Sequence, residues 1–242
     1  MKIIAFSLWG DNSRYTLGAL QNASLAKMVY PDWVCRFYVG KSTPRAIVDL
    51  LREFDNVEIV LKDEDGPSTG MFWRYYCIDD PDVEVSIFRD CDSRLWFREK
   101  AAVDEWLASD NDFHIMRDNH QHNVPILGGM WGVKRGALTK VKEKINYFCV
   151  QQKLMLGECK ESPFYNKEQE IIRHADQYFL QLIIVPMAAT SSCVHDEFFD
   201  EQPYPTTPRD ENHFVGQAYA GTGKILDQEE YFQDFMRREY GA

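Results

Sequence analysis

The 242-residue sequence predicts an α/β fold: a single Rossmann-like domain with a mostly parallel central sheet flanked by helices. In the first half, short apolar runs alternate with segments of helical spacing, which is the pattern of successive β-α-β units. Apolar residues make up 45% of the chain, enough for a packed core. No repeat or low-complexity tract interrupts the pattern, so one domain is the simplest organisation.

The predicted strands of the first half each end next to turn residues. The first is Lys2–Leu8, and a helix at 13–29 follows it, with Ser13 as a residue type that caps helix N-termini. Thr43 and Pro44 open a second helix, in which apolar residues recur at helical spacing. Further strands are predicted at 33–39, 57–61, 83–88 and 113–116, with helices at 71–78 and around 103–107.

The second half is richer in helices. A strand with a glycine-rich entry is predicted at 128–134, and a helix follows at about 137–151. Another helix is predicted at 167–182, capped by Asn166 with Gln169 three residues later. The remaining predictions are a strand at 183–186, a loop-like region at 196–224 and a last amphipathic helix near 231–236.

The charge of the chain disfavours polyanionic partners. There are 27 Lys and Arg against 38 Asp and Glu, a net charge of −11, so the surface repels phosphate backbones and anionic lipid. We therefore expect no nucleic-acid partner. The apolar run at the N-terminus is too short for a signal-peptide core or an integral membrane segment. The six cysteines form no CxxC pair, so a zinc knuckle or thioredoxin motif is absent. Their wide scatter is typical of reduced thiols, and we expect a soluble, cytoplasmic protein.

Two carboxylates directly follow the fourth predicted strand, in the segment Arg-Asp-Cys-Asp-Ser-Arg at 89–94. Ligands of parallel sheets bind beyond the carboxyl ends of the strands, so this turn is a prime candidate site. Asp90 and Asp92 can share one hard cation, Mg²⁺ or Mn²⁺, and leave positions open for phosphates. The flanking Arg89 and Arg94 suit bidentate contacts to phosphate. An isolated Asp-x-Asp is common in acidic proteins, so its surroundings decide its meaning.

This segment resembles the Asp-x-Asp region of GT-A glycosyltransferases, in particular small bacterial and large-virus proteins with an RDxDSR core. Three further segments resemble that family in the same order: 114–132 with its glycine pair, 176–180 beginning Asp-Gln, and Val-His-Asp at 194–196. The resemblance spans roughly residues 1–216. The Ser-Arg that follows the Asp-x-Asp departs from the family's hydrophobic or small run, so detailed donor contacts do not carry over.

The resemblance implies a GT-A-like single domain, 1–242, with a nucleotide-binding half at 1–125 and an acceptor-side half at 126–242. It implies Mn²⁺ or Mg²⁺ held by Asp90, Asp92 and His195. Asp176 would be the catalytic carboxylate, with Asp118 behind it. The donor-binding residues that it implies are Ser7, Trp9, Gly10, Trp73, Arg74, Arg89, Asp90, Arg94, Gly128 and Gly129.

Several of these residues also have a purely structural interpretation. A lone histidine such as His195 is more often hydrogen-bonded than metal-bound, and a tryptophan such as Trp73 more often belongs to the core. Gly128 and Gly129 suit a bulge or turn. Asp176 suits the solvated face of a helix.

The favoured function is transfer of a sugar from a nucleoside-diphosphate sugar, with UDP-sugars preferred, to a carbohydrate or other hydroxyl acceptor. The metal and the arginines would neutralise the departing diphosphate. The alternatives are a sugar-nucleotide nucleotidyltransferase and a non-catalytic nucleotide- or sugar-binding domain. A sugar-nucleotide nucleotidyltransferase normally has a glycine-rich loop with a basic residue after its first strand. In this sequence, residues 7–12 contain one glycine and no lysine. The sequence leaves open the donor base, the acceptor, the stereochemistry and the oligomeric state.

Overall fold

The structure is a computed structural model that describes residues 1–65, 69–157, 165–166, 171–172, 174–199, 202–205 and 213–226. The strands are β1 (Lys2–Leu8), β2 (Val34–Val39), β3 (Val57–Leu61), β4 (Val85–Phe88), β5 (Phe113–Arg117), β6 (Trp131–Lys134), β7 (Tyr165–Asn166), β8 (Ile171–Ile172) and β9 (Ser192–Asp196). The α-helices are α1 (Ser13–Val29), α2 (Arg45–Arg52), α3 (Gly70–Trp73), α4 (Phe97–Ala108), α5 (Val141–Gly157), α6 (Ala175–Phe179) and α7 (Val185–Ala188). A 3-10 helix, Arg74–Asp79, follows α3, and a π-helix, Leu180–Ile184, joins α6 to α7.

A mixed sheet with the strand order β3-β2-β1-β4-β6-β5-β9 forms the centre of the fold. β1 pairs in parallel with β2 and β4, and β2 pairs in parallel with β3. β6 is antiparallel to both of its neighbours, whereas β9 is parallel to β5. The predicted α/β fold with a mostly parallel sheet is confirmed. The sheet takes β6 and β9 from the predicted acceptor-side half, so both halves contribute to it.

The sheet is covered on both faces, which explains why its strands are continuous apolar runs. Successive side chains of a strand point to opposite faces. Along β1, Ile3 and Ala5 belong to one hydrophobic cluster, whereas Ile4 and Phe6 belong to another. The first cluster includes buried aromatic side chains from α3, α5 and α6, and the second includes apolar side chains from α1, α2 and α4. Helices therefore pack against each face of the sheet.

The carboxyl ends of β1 and β4 lie side by side. Ala5 pairs with Phe88 in the parallel register, and the N–H of Arg89 donates to the Ala5 carbonyl at 3.1 Å. The Cys91 thiol contacts the Ser7 carbonyl at 3.4 Å. The two turns singled out in the sequence, after β1 and after β4, are thus neighbours at one edge of the sheet.

The second half departs from its predicted elements. The helix predicted at 167–182 begins only at Ala175, because β7 and β8 precede it as an antiparallel pair. The strand predicted at 183–186 is wrong, because this apolar run continues the helical segment through the π-helix into α7. Pro186 has no N–H to donate within this continuous segment, and it lies at the start of α7, directly after the π-helix. β9 was not predicted, and the last helix, near 231–236, lies outside the described residues.

In the described residues, no helix has both the length and the apolar character that crossing a membrane requires. The cysteines in the same ranges carry free thiols. Burial raises the pKa of Cys35 and that of Cys77 to about 12, so both behave as inert core residues.

Candidate functional site

The turn that carries Asp90 and Asp92 is fixed against α1. The Asn22 amide donates to the carbonyl oxygens of Cys91, at 3.3 Å, and Ser93, at 2.9 Å. Gly18 permits the close approach of α1, because a Cβ at that position would lie 2.0 Å from the Cys91 carbonyl oxygen. The backbone of the turn is therefore held by contacts that do not involve its two carboxylates.

Arg74 brings together two carboxylates that are far apart in the sequence. Its Nη1 pairs with Asp90 Oδ1, and its Nη2 pairs with Asp176 Oδ2 at 3.1 Å. The backbone N–H of Arg74 donates to Ser7 Oγ at 3.0 Å, which connects this arginine to the end of β1. The Arg74 and Asp176 side chains are 7% and 10% exposed, whereas that of Asp90 is 49% exposed. Asp90 is thus the member of this trio that a ligand can reach most easily.

Gly128 and Gly129 let the chain pass directly over this trio. A Cβ at Gly128 would lie 2.6 Å from Arg74 Nη2 and 3.0 Å from Asp176 Oδ2. A Cβ at Gly129 would lie 2.1 Å from Asp90 Oδ2. Close backbone approach therefore requires glycine at both positions. The structure brings together five residues that the sequence analysis selected: Arg74, Asp90, Gly128, Gly129 and Asp176.

Three influences set the pKa of Asp176. Burial raises the pKa of this carboxyl above its ordinary value, while the Arg74 guanidinium opposes the change and the Asp90 charge adds to it. Carboxyl groups with a raised pKa are common among the proton-transfer groups of active sites, so Asp176 is a candidate for such a role.

Asp92 pairs with Arg14, which the sequence analysis did not select. Arg14 Nη2 lies 2.5 Å from Asp92 Oδ2, and the two side chains are 4% and 13% exposed. Burial raises the pKa of Asp92, and the nearby Arg14 charge opposes this rise. Arg14 stands in the first turn of α1, where the helix dipole disfavours a cation. A cation at this position of a predicted helix was the one sequence signal that Arg14 has an anionic partner outside α1.

Arg94 and the segment 213–226 also contact the turn. Arg94 Nη1 donates to the Cys91 carbonyl at 3.2 Å, and the guanidinium lies 4.8 Å from the centre of the Tyr219 ring. The Tyr219 N–H donates to the Asp92 carbonyl at 2.9 Å. Within the described part of the chain, Arg94 Nη2 and Arg74 Nε are buried donors without a hydrogen-bond partner. Buried donors without a partner are uncommon in folded proteins, and an anionic ligand that reaches them would satisfy them.

The remaining predicted nucleotide contacts gather at the end of β1. The rings of Trp9 and Trp73 lie edge to face, with their centres 6.1 Å apart. Trp73 is fully buried and donates its indole N–H to Glu64 at 3.3 Å, so it supports Trp9 as part of the core. Gly10 has a left-handed backbone with φ 72°, and its N–H donates to Ser42 Oγ at 2.7 Å.

The structure places Arg89 in the interior, away from the phosphate role that was predicted for it. Its guanidinium pairs with Glu99 of α4 at 3.1 Å, and both side chains are 2% exposed. Arg89 Nη1 also donates to the Phe88 carbonyl at 2.7 Å, and the Tyr30 hydroxyl donates to Glu99 at 3.0 Å. Because its charge is compensated inside the fold, Arg89 acts as a link between β4 and α4.

Asp118 belongs to another buried network. Its carboxylate accepts hydrogen bonds from Arg98 at 2.9 and 3.0 Å and from the Val215 N–H at 3.0 Å. Arg98 also pairs with Glu197 at 2.7 Å. These contacts fasten the segments that follow β5 and β9, together with 213–226, to α4. Asp118 thus stabilises the packing of these segments, and it does not contact Arg74, Asp90 or Asp176.

His195, the predicted third metal ligand, lies in β9 with its ring against α4. Its Nδ1 is 2.9 Å from His114 Nε2, and its Nε2 is 3.6 Å from Glu105 Oε1. The residues that the structure describes contain no group of three or more His, Cys, Asp or Glu side chains placed to hold a metal. The predicted triad of Asp90, Asp92 and His195 is therefore not assembled.

The two carboxylates of the turn nevertheless suit a hard divalent cation. Asp90 uses Oδ1 and Asp92 uses Oδ2 in the pairs with their arginines. In nucleotide-dependent enzymes, Mg²⁺ is commonly bound by one or two carboxylates together with the phosphates of the substrate. The residues therefore fit a cation that is shared with a diphosphate.

We expect Gly129→Ala to weaken joint binding of Mn²⁺ and UDP by about tenfold or more, because the new methyl group displaces the Asp90 carboxylate from its place beside Arg74. Isothermal titration calorimetry measures the change. Gly132→Ala is the matched control, since its Cβ would meet Ile87, Ser86 and Trp106 at 2.9–3.1 Å, away from the turn. This control should lower the melting temperature and leave the affinity unchanged. Equal affinity losses in the two variants would contradict the prediction.

We expect the protein to lose stability as the pH falls below about 6.5. Burial lowers the pKa of His114 well below its ordinary 6.5, and burial also lowers that of His195. The unfolded chain therefore binds more protons than the folded chain in this window, so the free energy of unfolding decreases as the pH falls. Urea denaturation at about pH 7.5 and 5.5 measures the loss. The loss should shrink in a His114→Gln/His195→Gln variant, and an unchanged loss would contradict this origin.

No family model and no curated protein matches this chain. Among solved structures, it is similar to the TarS 1–349 fragment of S. aureus, with 13% identity and a TM-score of 0.49 over 84% of this chain and 59% of that one. The chain thus spans about three fifths of that fragment, which has also been solved in complex with UDP and with UDP-GlcNAc.

Two further structures are similar. One is the galactosyltransferase LgtC in complex with donor and acceptor sugar analogues, at 11% identity and a TM-score of 0.46, covering 80% of this chain and 73% of that one. The other is 4-diphosphocytidyl-2C-methyl-D-erythritol synthase from Anaerococcus prevotii, at 13% identity and a TM-score of 0.44, covering 85% and 92%. At such identities, the likeness concerns the fold alone.

Proposed function

We propose that the chain is a metal-dependent glycosyltransferase that moves a sugar from a nucleoside-diphosphate sugar, preferably a UDP-sugar, to an acceptor hydroxyl. The observation that carries the proposal is the trio in which Arg74 links Asp90 to Asp176 beneath Gly128 and Gly129. It lies beyond the carboxyl ends of β1 and β4, where sheets of this kind bind their ligands.

In this proposal, Arg74 and Arg94 bind and orient the donor diphosphate through their remaining N–H groups. Asp90 and Asp92 would hold Mg²⁺ or Mn²⁺, which neutralises charge on the diphosphate when it is bound. The half-exposed Asp90 is open to the donor, and the backbone of the glycine pair lies close against the trio.

Asp176 is the proposed catalytic carboxylate. If the transfer inverts the anomeric configuration, Asp176 accepts the proton of the acceptor hydroxyl, a role that its raised pKa suits. If the transfer retains the configuration, Asp176 lies against the donor sugar and the leaving phosphate takes that proton. The catalytic role of Asp118 is not part of the proposal, because Arg98 holds that carboxylate in its own network.

Titration calorimetry with UDP, GDP and dTDP, with and without Mn²⁺, tests the donor site. We expect UDP to bind only with Mn²⁺, and we expect Asp92→Asn to abolish this binding. Asp104→Asn on the exposed face of α4 is a matched control and should bind like the wild type. Binding that is indifferent to both Mn²⁺ and Asp92 would contradict the metal assignment, and no binding of any nucleotide would contradict the proposal as a whole.

Turnover separates the proposal from its two rivals. A glycosyltransferase transfers the sugar of a UDP-sugar slowly to water and faster to a suitable hydroxyl acceptor. Both reactions release UDP. A nucleotidyltransferase instead forms a nucleotide sugar and pyrophosphate from a nucleoside triphosphate and a sugar phosphate. A binding module performs neither reaction although it binds the nucleotide. Mass spectrometry of the products from both substrate pairs distinguishes the three.

A further inference from the structure

We propose that Arg14 makes binding of the divalent cation at Asp92 conditional on the presence of the donor diphosphate. The inference rests on the proposed function, because it concerns the same cation and the same donor. It assigns to Arg14 a charge-balancing role in which its guanidinium occupies Asp92 while the diphosphate is absent.

The ion pair itself is the first step. Arg14 Nη2 lies 2.5 Å from Asp92 Oδ2, and both side chains are nearly buried at 4% and 13% exposure. An ion pair shielded from water is screened much less than one on the surface. A cation that binds Asp92 must therefore compete with a guanidinium that is already in contact with it.

The charge around the turn is the second step. The ion pairs connect Asp90 and Asp176 to Arg74, and Asp92 to Arg14, while Arg94 lies near enough for its charge to interact with that of Asp92. In the described ranges, three carboxylates thus face three guanidinium groups. A divalent cation alone would add two positive charges beside these guanidinium groups in a largely buried place, which is unfavourable. A diphosphate that arrives with the cation brings negative charge that offsets this addition.

The exchange of partners is the third step. The backbone of the turn is anchored by Asn22 and by the close approach of α1 at Gly18, so the backbone that carries the two carboxylates is fixed. In the proposed exchange, the Arg14 guanidinium turns from the Asp92 carboxylate to a phosphate oxygen, since a guanidinium binds both kinds of anion well.

The test measures Mn²⁺ binding directly. Electron paramagnetic resonance reports the concentration of free Mn²⁺, and calorimetry gives the affinity independently. We expect wild-type protein to bind Mn²⁺ at least about tenfold more tightly with UDP than without it. Arg14→Gln should bind Mn²⁺ alone about tenfold more tightly than the wild type and should lose most of this coupling. Arg14→Lys, which keeps the charge, should behave like the wild type. Arg45→Gln, in an exposed pair on α2, is the control and should change nothing.

Two outcomes would overturn the inference: unchanged or weaker binding of Mn²⁺ alone by Arg14→Gln, or wild-type binding of Mn²⁺ that is indifferent to UDP and to pyrophosphate. The pyrophosphate titration separates this inference from the proposed function. Coupling to pyrophosphate without any binding of UDP would remove the nucleotide assignment and leave the role of Arg14 standing. Arg14→Gln leaves the nearly buried Asp92 without its counter-charge and should therefore lower the melting temperature, whereas Arg14→Lys should lower it less. Thermal denaturation sets a temperature at which all the variants are folded, and binding is measured there.

Discussion

Asp176→Asn should slow sugar transfer by about two to four orders of magnitude while leaving the affinity for UDP nearly unchanged. Asparagine has the shape of aspartate, and its carbonyl can still accept the Arg74 hydrogen bond that holds Asp176 at 3.1 Å. It cannot accept a proton or place a negative charge beside the donor sugar. The measurement is kcat for release of UDP from a UDP-sugar, with UDP affinity from calorimetry.

Two results would contradict this role for Asp176. An unchanged kcat would make the residue a structural partner of Arg74. A joint loss of UDP affinity and kcat would mean that its main task is to position the Arg74 guanidinium for the diphosphate. Asp104→Asn, on the exposed face of α4, should leave both quantities at their wild-type values.

The sequence was a good guide wherever local pattern decides structure. Apolar runs placed β1 and β3 correctly and β2, β4 and β5 to within two residues. Most residues of β1, β2, β4 and β5 are buried, whereas β3 ends the sheet and is partly exposed. The position of Asp90 directly after a strand placed it at the ligand-binding edge. Composition misled at 183–186, where β-branched residues favour a strand but a helix already in progress continues through them.

The pairing of the site residues could not be read from the sequence. Arg74 and Asp176 are 102 residues apart, and only the fold brings them within 3.1 Å. The direction of a side chain at the end of a strand depends on what packs around it, which is why Arg89 turns inward while Asp90 stays half exposed. The family resemblance of Val-His-Asp at 194–196 implied that His195 is a metal ligand, but β9 places its ring against α4.

Arg89→Met should lower the free energy of unfolding by about 3–5 kcal/mol, because it leaves the Glu99 carboxylate buried without its counter-charge. Urea denaturation measures the loss. Arg89→Met/Glu99→Gln should recover a large part of it, because the glutamine is neutral and can still accept the hydrogen bond of the Tyr30 hydroxyl. The folded single variant should bind UDP and Mn²⁺ like the wild type. If Arg89→Met instead abolishes UDP binding in a protein of normal stability, the guanidinium contacts the nucleotide, and the purely structural role of Arg89 is wrong.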